Sequence, residues 1–141
     1  MNTEISTDKG RLDVALIHRF LSEQSSWARG IPRATVERAI AQSLCFGLYQ
    51  DGAQIGFARV ISDFATFAYL VDVFVLPELR GQGHSRTLMD AVMAHPQLQG
   101  LRRFLLATST AGWLYAKYGF GPAAKPQAFM EINDPEIYSR A

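Results

Sequence analysis

The run Val73-Phe74-Val75-Leu76-Pro77-Glu78-Leu79-Arg80-Gly81-Gln82-Gly83-His84-Ser85 leaves this part of the chain little conformational freedom. β-prone residues stop at a proline, which a central strand does not tolerate. An arginine and two glycines follow, and an amphipathic pattern carried by Leu88, Met89, Val92 and Met93 begins after them. A strand, a tight glycine turn and an exposed helix N-terminus in that order form a cradle whose backbone N–H groups hold a phosphate. Arg80 adds a side-chain charge for the same anion. An α/β fold that binds a phosphate-bearing ligand is therefore expected.

The flanking pattern agrees with that class. Residues 2–7 suit a short first strand. Asp13 suits the N-cap of a helix with Val14, Ile17, Phe20 and Leu21 at near-helical spacing. Pro32 suits the first turn of a second helix, with Val36, Ala39 and Ile40 inward. Residues 43–49 and 54–61 read as strands joined at Asp51-Gly52, a strong hairpin signal. A turn at 62–66 leads into the third and most hydrophobic of them, Phe67 to Leu76, and the three form an antiparallel meander. A helix from Gly81 to Ala94 is closed by His95-Pro96. The strand at 103–108 is expected to lie parallel to the one before the glycine turn, because a helical crossover joins parallel strands. Ala111 to Tyr118 reads as a short helix stopped by Gly119, and residues 127–132 as a last strand. The predicted fold is a single α/β domain over residues 1–141. Its sheet is mixed but mostly antiparallel, with about four helices and a βαβ step at the glycine turn.

A chain of 141 residues, 48% of them hydrophobic, can bury a core without staples. Its net charge of +1 argues against a nucleic-acid partner. The single cysteine, Cys45, excludes an intrachain disulfide and reads as a small buried hydrophobe. No charged-then-apolar leader opens the sequence, and no apolar run approaches about 18–20 residues, so a cytoplasmic location without a membrane partner is expected. His18, His84 and His95 are scattered, which gives no metal-ligand spacing. Position 86 is Arg, so the dinucleotide G-x-G-x-x-G pattern fails; a nucleoside-triphosphate loop and a G-x-S-x-G nucleophile elbow are absent as well.

A second motif follows the glycine turn: Ala111-Gly112-Trp113-Leu114-Tyr115-Ala116-Lys117-Tyr118-Gly119-Phe120. V-x-V-x-P-x-x-R-G-x-G followed by A-x-x-x-Y-x-x-x-G-F resembles the Gcn5-related N-acetyltransferase (GNAT) superfamily. The order of elements is similar to that superfamily over nearly the whole chain, and the specific part runs from Val71 to Phe120. The resemblance implies an acyl-CoA N-acyltransferase fold and an acetyl-CoA-dependent enzyme. It implies direct transfer to an amine in a ternary complex, with no covalent intermediate and no metal. A small-molecule primary amine is the expected acceptor, and a homodimer is the family-based expectation. A CoA-binding regulatory module without turnover and a peptide or protein amine acetyltransferase are the alternatives.

The family pattern Q/R-x-x-G-x-G/A maps onto Arg80, Gly83 and Ser85. Amides of Arg80, Gly81, Gln82, Gly83, His84 and Ser85 would then hold the pyrophosphate. The backbone of Val73, Phe74 and Val75 would pair with the pantetheine arm. Ser85 stands where relatives carry Gly or Ala, and its hydroxyl is a further donor. His84 replaces an aliphatic residue; it is either an extra phosphate donor or a ring packed against the helix start. Thr108 stands where many relatives carry an Asn touching the cofactor, and a threonine replaces part of that hydrogen bonding.

Tyr115 matches the tyrosine that protonates the departing thiolate in relatives, and a phenol is a suitable acid for it. Asp72 lies in an apolar strand, where a carboxylate is costly unless paired. With the turn centred on Ala65-Thr66, Arg59 stands opposite Asp72, so Asp72 is either a member of an ion pair or the base that takes the amine proton. For the acceptor, Trp27, Arg29 and Tyr69 are the expected contacts. Trp27 and Arg29 suit an aromatic or carboxylate-bearing molecule, or else serve as a hydrophobic anchor and a solvated charge.

Overall fold

The structure, a computed structural model, describes residues 2–140. Five strands form one sheet: β1 (Thr3–Ser6), β2 (Leu44–Gln50), β3 (Ala53–Ser62), β4 (Phe67–Val75) and β5 (Arg103–Leu106). The helices are α1 (Val14–Glu23), α2 (Arg33–Ala41), α3 (His84–Ala94) and α4 (Gly112–Ala116). Strand order follows the chain, β1-β2-β3-β4-β5. All pairings are antiparallel except β4 with β5, which the α3 crossover makes parallel.

Local chemistry explains several boundaries. Asp13 Oδ1 accepts the Leu16 N–H at 3.0 Å and caps α1, whose buried Ile17, Phe20 and Leu21 form one stripe. Asp51 (φ +50°) and Gly52 (φ +87°) are both left-handed, as a two-residue hairpin turn requires. Gly81 (φ +80°) and Gly83 (φ +82°) are left-handed too, so α3 starts at His84 and not at Gly81 as expected. The fourth helix is shorter than expected, and β5 stops at Leu106, because the chain then turns with Thr108 Oγ1 accepting the Ala111 N–H at 2.9 Å.

The sheet buries a core on each face. Phe46, Leu48, Ile55, Ala58, Val60, Ala68, Leu70 and Val75 pack under Leu88, Met89 and Val92 of α3. Cys45, Phe57 and Phe74 pack under α1 and α2, with the Phe74 ring stacked on Phe20 at 4.0 Å. β4 serves both faces because it changes parity midway. Ala68 and Leu70 face α3, whereas Phe74 faces α1 and α2. The cause is a bulge: Phe57 pairs with Phe74 and Arg59 with Val71, so Ala58 stands against both Asp72 and Val73. Asp72 takes the left-handed conformation, φ +56°. The expected register is thus corrected by one residue, since Arg59 pairs with Val71 across the ladder.

The expected strand at 127–132 is absent. A single 3₁₀ turn covers Pro126–Ala128, and irregular chain follows with Met130 and Ile132 almost fully exposed. Alternation gives strand propensity, but a strand exists only through ladder hydrogen bonds, and none forms with β5. What joins this segment to the sheet is the Arg103 guanidinium, 4.9 Å above the Phe129 ring. No helix among the described residues is long and apolar enough to cross a membrane.

Candidate active site

β4 and β5 pair only from Phe67↔Arg103 to Leu70↔Leu106. Beyond Leu70 the two strands part, and residues 71–75 of β4 keep their polar backbone edge free on that side. Val73 packs toward the α3 core, Val75 lines the groove beyond the strand end, and Phe74 turns its side chain to the opposite face. The Phe74 side chain therefore contributes nothing on the free edge.

At the end of β4 a groove of about 400 Å³ opens along the glycine turn, lined by Val75, Arg80, Gly83, Ser85, Arg86 and Leu114 among others. A Cβ placed on Gly81 or Gly83 would meet no atom within 4 Å. Steric crowding therefore does not require glycine here; positive φ does. Arg80 Nε donates to the Val75 carbonyl at 3.3 Å, which folds the side chain over the strand end and leaves its terminal nitrogens for an anion. Gln82 is exposed on the turn.

Arg86 was missed in the sequence. A cation in the first turn of a helix opposes the helix dipole, and that mismatch was the available signal. His84 is buried, with Nε2 unpaired inside the protein. The residue also borders the groove. His84→Leu should remove that unsatisfied group and raise stability by about 1 kcal/mol, read from urea unfolding.

Trp113 and Leu114 of α4 border the same groove, and Tyr115 follows them. Tyr115 is half-buried against the α3-side core, its ring edge-to-face with Phe120 at 6.2 Å. Burial pushes its phenol above the ordinary tyrosine value, so the proton stays on oxygen through neutral pH. Tyr118, outside the motif, braces the short helix: its hydroxyl donates to Asp90 Oδ1 of α3 at 2.9 Å and lies 3.3 Å from the Arg86 carbonyl. Thr108 accepts from Ala111, and its hydroxyl hydrogen remains available.

On the other face of β4, four segments meet at Asp72. Its Oδ2 accepts from Arg59 Nε at 2.9 Å and its Oδ1 from Trp27 Nε1 at 2.8 Å. Arg59 Nη1 also donates to Ser43 Oγ at 3.0 Å, and Ser43 donates to the Ala39 carbonyl at 2.7 Å. Asp72 and Arg59 are both nearly enclosed, whereas Trp27 is half-exposed. Tyr69 stands on the same sheet face, a few residues before the bulge. Arg29 turns back to the Glu23 carbonyl at 3.2 Å, at the end of α1. The structure thus brings Trp27, Tyr69 and Asp72 to one face.

Cys45 lies beneath this cluster, and burial pushes its thiol up to about 11. The thiolate is the nucleophile, so Cys45 is inert at neutral pH. Iodoacetamide should leave the folded protein unmodified and label Cys45 after denaturation, as read by intact mass. Among the described residues no three His, Cys, Asp or Glu side chains group to hold a metal.

The model of the acetyltransferase (GNAT) domain matches residues 41–122, and the chain belongs to that family. It is 62% identical to a GNAT-family protein of Xanthomonas campestris pv. campestris described as an acetyltransferase, with a TM-score of 0.96 over 99% of this chain and 98% of that one. A Gibberella zeae protein described as an acetyltransferase is 33% identical over 80% of this chain and 75% of its own length. N-acetylglutamate synthase of Neisseria gonorrhoeae, solved with coenzyme A and N-acetyl-glutamate, shares the fold at 21% identity. Its TM-score is 0.69, covering 89% of this chain and 30% of that one.

Proposed function

We propose that this acetyltransferase takes its acetyl group from acetyl-CoA and moves it directly to the primary amine of a small molecule. The observation that carries the donor half is the groove at the glycine turn, at the end of the stretch of β4 that β5 leaves unpaired. Amides from Gly81 to Ser85 would face the pyrophosphate, joined by the Arg80 and Arg86 side chains; the expected Arg80 amide is instead donated to the Pro77 carbonyl at 3.3 Å, closing the turn before the glycines. The free edge of residues 71–75 would receive the pantetheine amides as an added strand. This places the thioester in the splay, between the bulge of β4 and the head of α4.

The chemistry then follows from charge. The neutral amine attacks the thioester carbonyl, a C–N bond forms, and negative charge collects on oxygen and then on sulfur as the C–S bond breaks. Tyr115 gives its proton to the departing thiolate, and the ammonium proton leaves to solvent. Burial raises the phenol's pKa, so turnover should hold through the pH range where an ordinary tyrosine ionises and decline only at more alkaline pH, as read from a kcat–pH profile. Tyr115→Phe should lower kcat by about 100-fold with acetyl-CoA affinity nearly unchanged. Equal losses of stability and activity would return Tyr115 to the core.

The acceptor side is lined by Trp27 and Tyr69, a surface suited to a compact amine with an apolar or aromatic body. The deciding experiment is release of free CoA from acetyl-CoA across amino acids, polyamines, aminoglycosides, arylamines and peptides. Turnover confined to peptides would overturn the small-molecule reading.

A further inference from the structure

We propose that Asp72 is a positioning residue that pins the α1–α2 loop to the bulge of β4 through Trp27 and does not take the amine proton. Both carboxylate oxygens are already engaged, Oδ1 by the Trp27 indole N–H at 2.8 Å and Oδ2 by Arg59 Nε at 2.9 Å. Asp72 is only 8% exposed. To bind a proton it would have to neutralise the partner of an enclosed guanidinium and leave that cation uncompensated. A base has no such obligation, whereas a structural pivot has it by design.

The connectivity points the same way. Trp27 lies in the loop after α1, Asp72 in β4, Arg59 in β3, and Ser43 between α2 and β2. One chain of hydrogen bonds runs from Trp27 through Asp72, Arg59 and Ser43 to the Ala39 carbonyl in α2. It ties the loop after α1, and α2 beyond it, to the point where β4 changes face. Asp72 sits at that point with φ +56°, a conformation aspartate tolerates better than most side chains. Trp27 is 52% exposed although its N–H is fixed. The tether therefore presents a ring of set orientation to the acceptor side, and its loss frees the ring while the bulge remains.

The test uses Asp72→Asn, which keeps an acceptor for the indole and tolerates positive φ, Asp72→Gly, which keeps the bulge without a side chain, and Trp27→Phe, which keeps the ring without the N–H. Indole N–H exchange is followed by NMR, with Trp27→Phe assigning the signal against Trp113. The Trp27 signal should exchange at least about 10-fold faster in Asp72→Gly than in the parent. An unchanged rate would overturn the tether.

The kinetic arm rests on the acetyl-transfer reading. It compares CoA release with propylamine, protonated at neutral pH, and with hydroxylamine, which is not. A positioning role changes both rates together, so their ratio should stay within about threefold of the parent in Asp72→Asn. A base that takes the proton of the bound ammonium before attack acts on propylamine and not on hydroxylamine, and a fall in that ratio of about 100-fold or more would overturn the proposal. Absence of CoA release by the parent with the whole amine panel would instead fail the acetyl-transfer reading; the exchange measurement still decides the tether.

Discussion

Gly83→Glu is expected to abolish binding of CoA, with affinity falling by at least about 100-fold, or ~2.7 kcal/mol. Two effects act in the same direction. Gly83 holds φ +82°, which an L-residue adopts only with strain. The carboxylate would also stand at the head of α3 among the amides offered to the pyrophosphate, replacing attraction by like-charge repulsion. Gly83→Asn lessens both, because asparagine visits the left-handed region and carries no charge. Isothermal titration with CoA should show a modest loss for Asn and no measurable binding for Glu. The thermal midpoint of Gly83→Glu should lie below that of Gly83→Asn, since the positive φ strains glutamate even though a Cβ there meets no atom within 4 Å. Retained affinity in Gly83→Glu would remove the glycine turn from the donor site.

The second large effect concerns stability. Arg59→Ala should destabilise the fold by about 3–5 kcal/mol, because it leaves the Asp72 carboxylate buried without its counter-ion. That is a large share of the ~5–15 kcal/mol that holds such a domain together. The double variant Arg59→Met/Asp72→Asn removes both charges and keeps the indole acceptor. It should recover much of the loss, so a double-mutant cycle in urea should show strong coupling. Additive single losses would mean that the pair contributes through packing alone.

Much of the donor half was legible in the sequence. The two glycines, the cap at Asp13 and the Asp51-Gly52 hairpin are each decided by φ and hydrogen bonds within a few residues. The helix start at His84 is the same logic carried one step further, since a left-handed Gly83 cannot belong to α3. Arg59 and Asp72 were also readable as neighbours, because a hairpin turn fixes approximate register. The bulge was not readable. It adds one residue at Asp72 and moves Arg59 opposite Val71, yet the two side chains still meet.

Trp27 illustrates the limit more sharply. Nothing near it in sequence indicates that its N–H reaches Asp72, 45 positions away. The segment 127–132 shows the converse: its alternation is genuine, but a strand needs a partner ladder, and Met130 and Ile132 stand in solvent instead. Arg86 and Tyr118 stand next to the motif positions without belonging to them, and only the meeting of α4 with α3 gave them contacts.

The amino-acid sequence by itself determined the class of this protein, the left-handed glycine turn after β4 and the short helix that carries Tyr115. Those features are local, and local backbone preferences act before any tertiary contact exists. Tertiary structure alone decided the parting of β4 from β5, the change of face at Asp72 and the tether from Trp27 to the sheet. Each of these depends on which distant backbone and side-chain groups satisfy one another's hydrogen bonds, a choice made only when the whole chain packs.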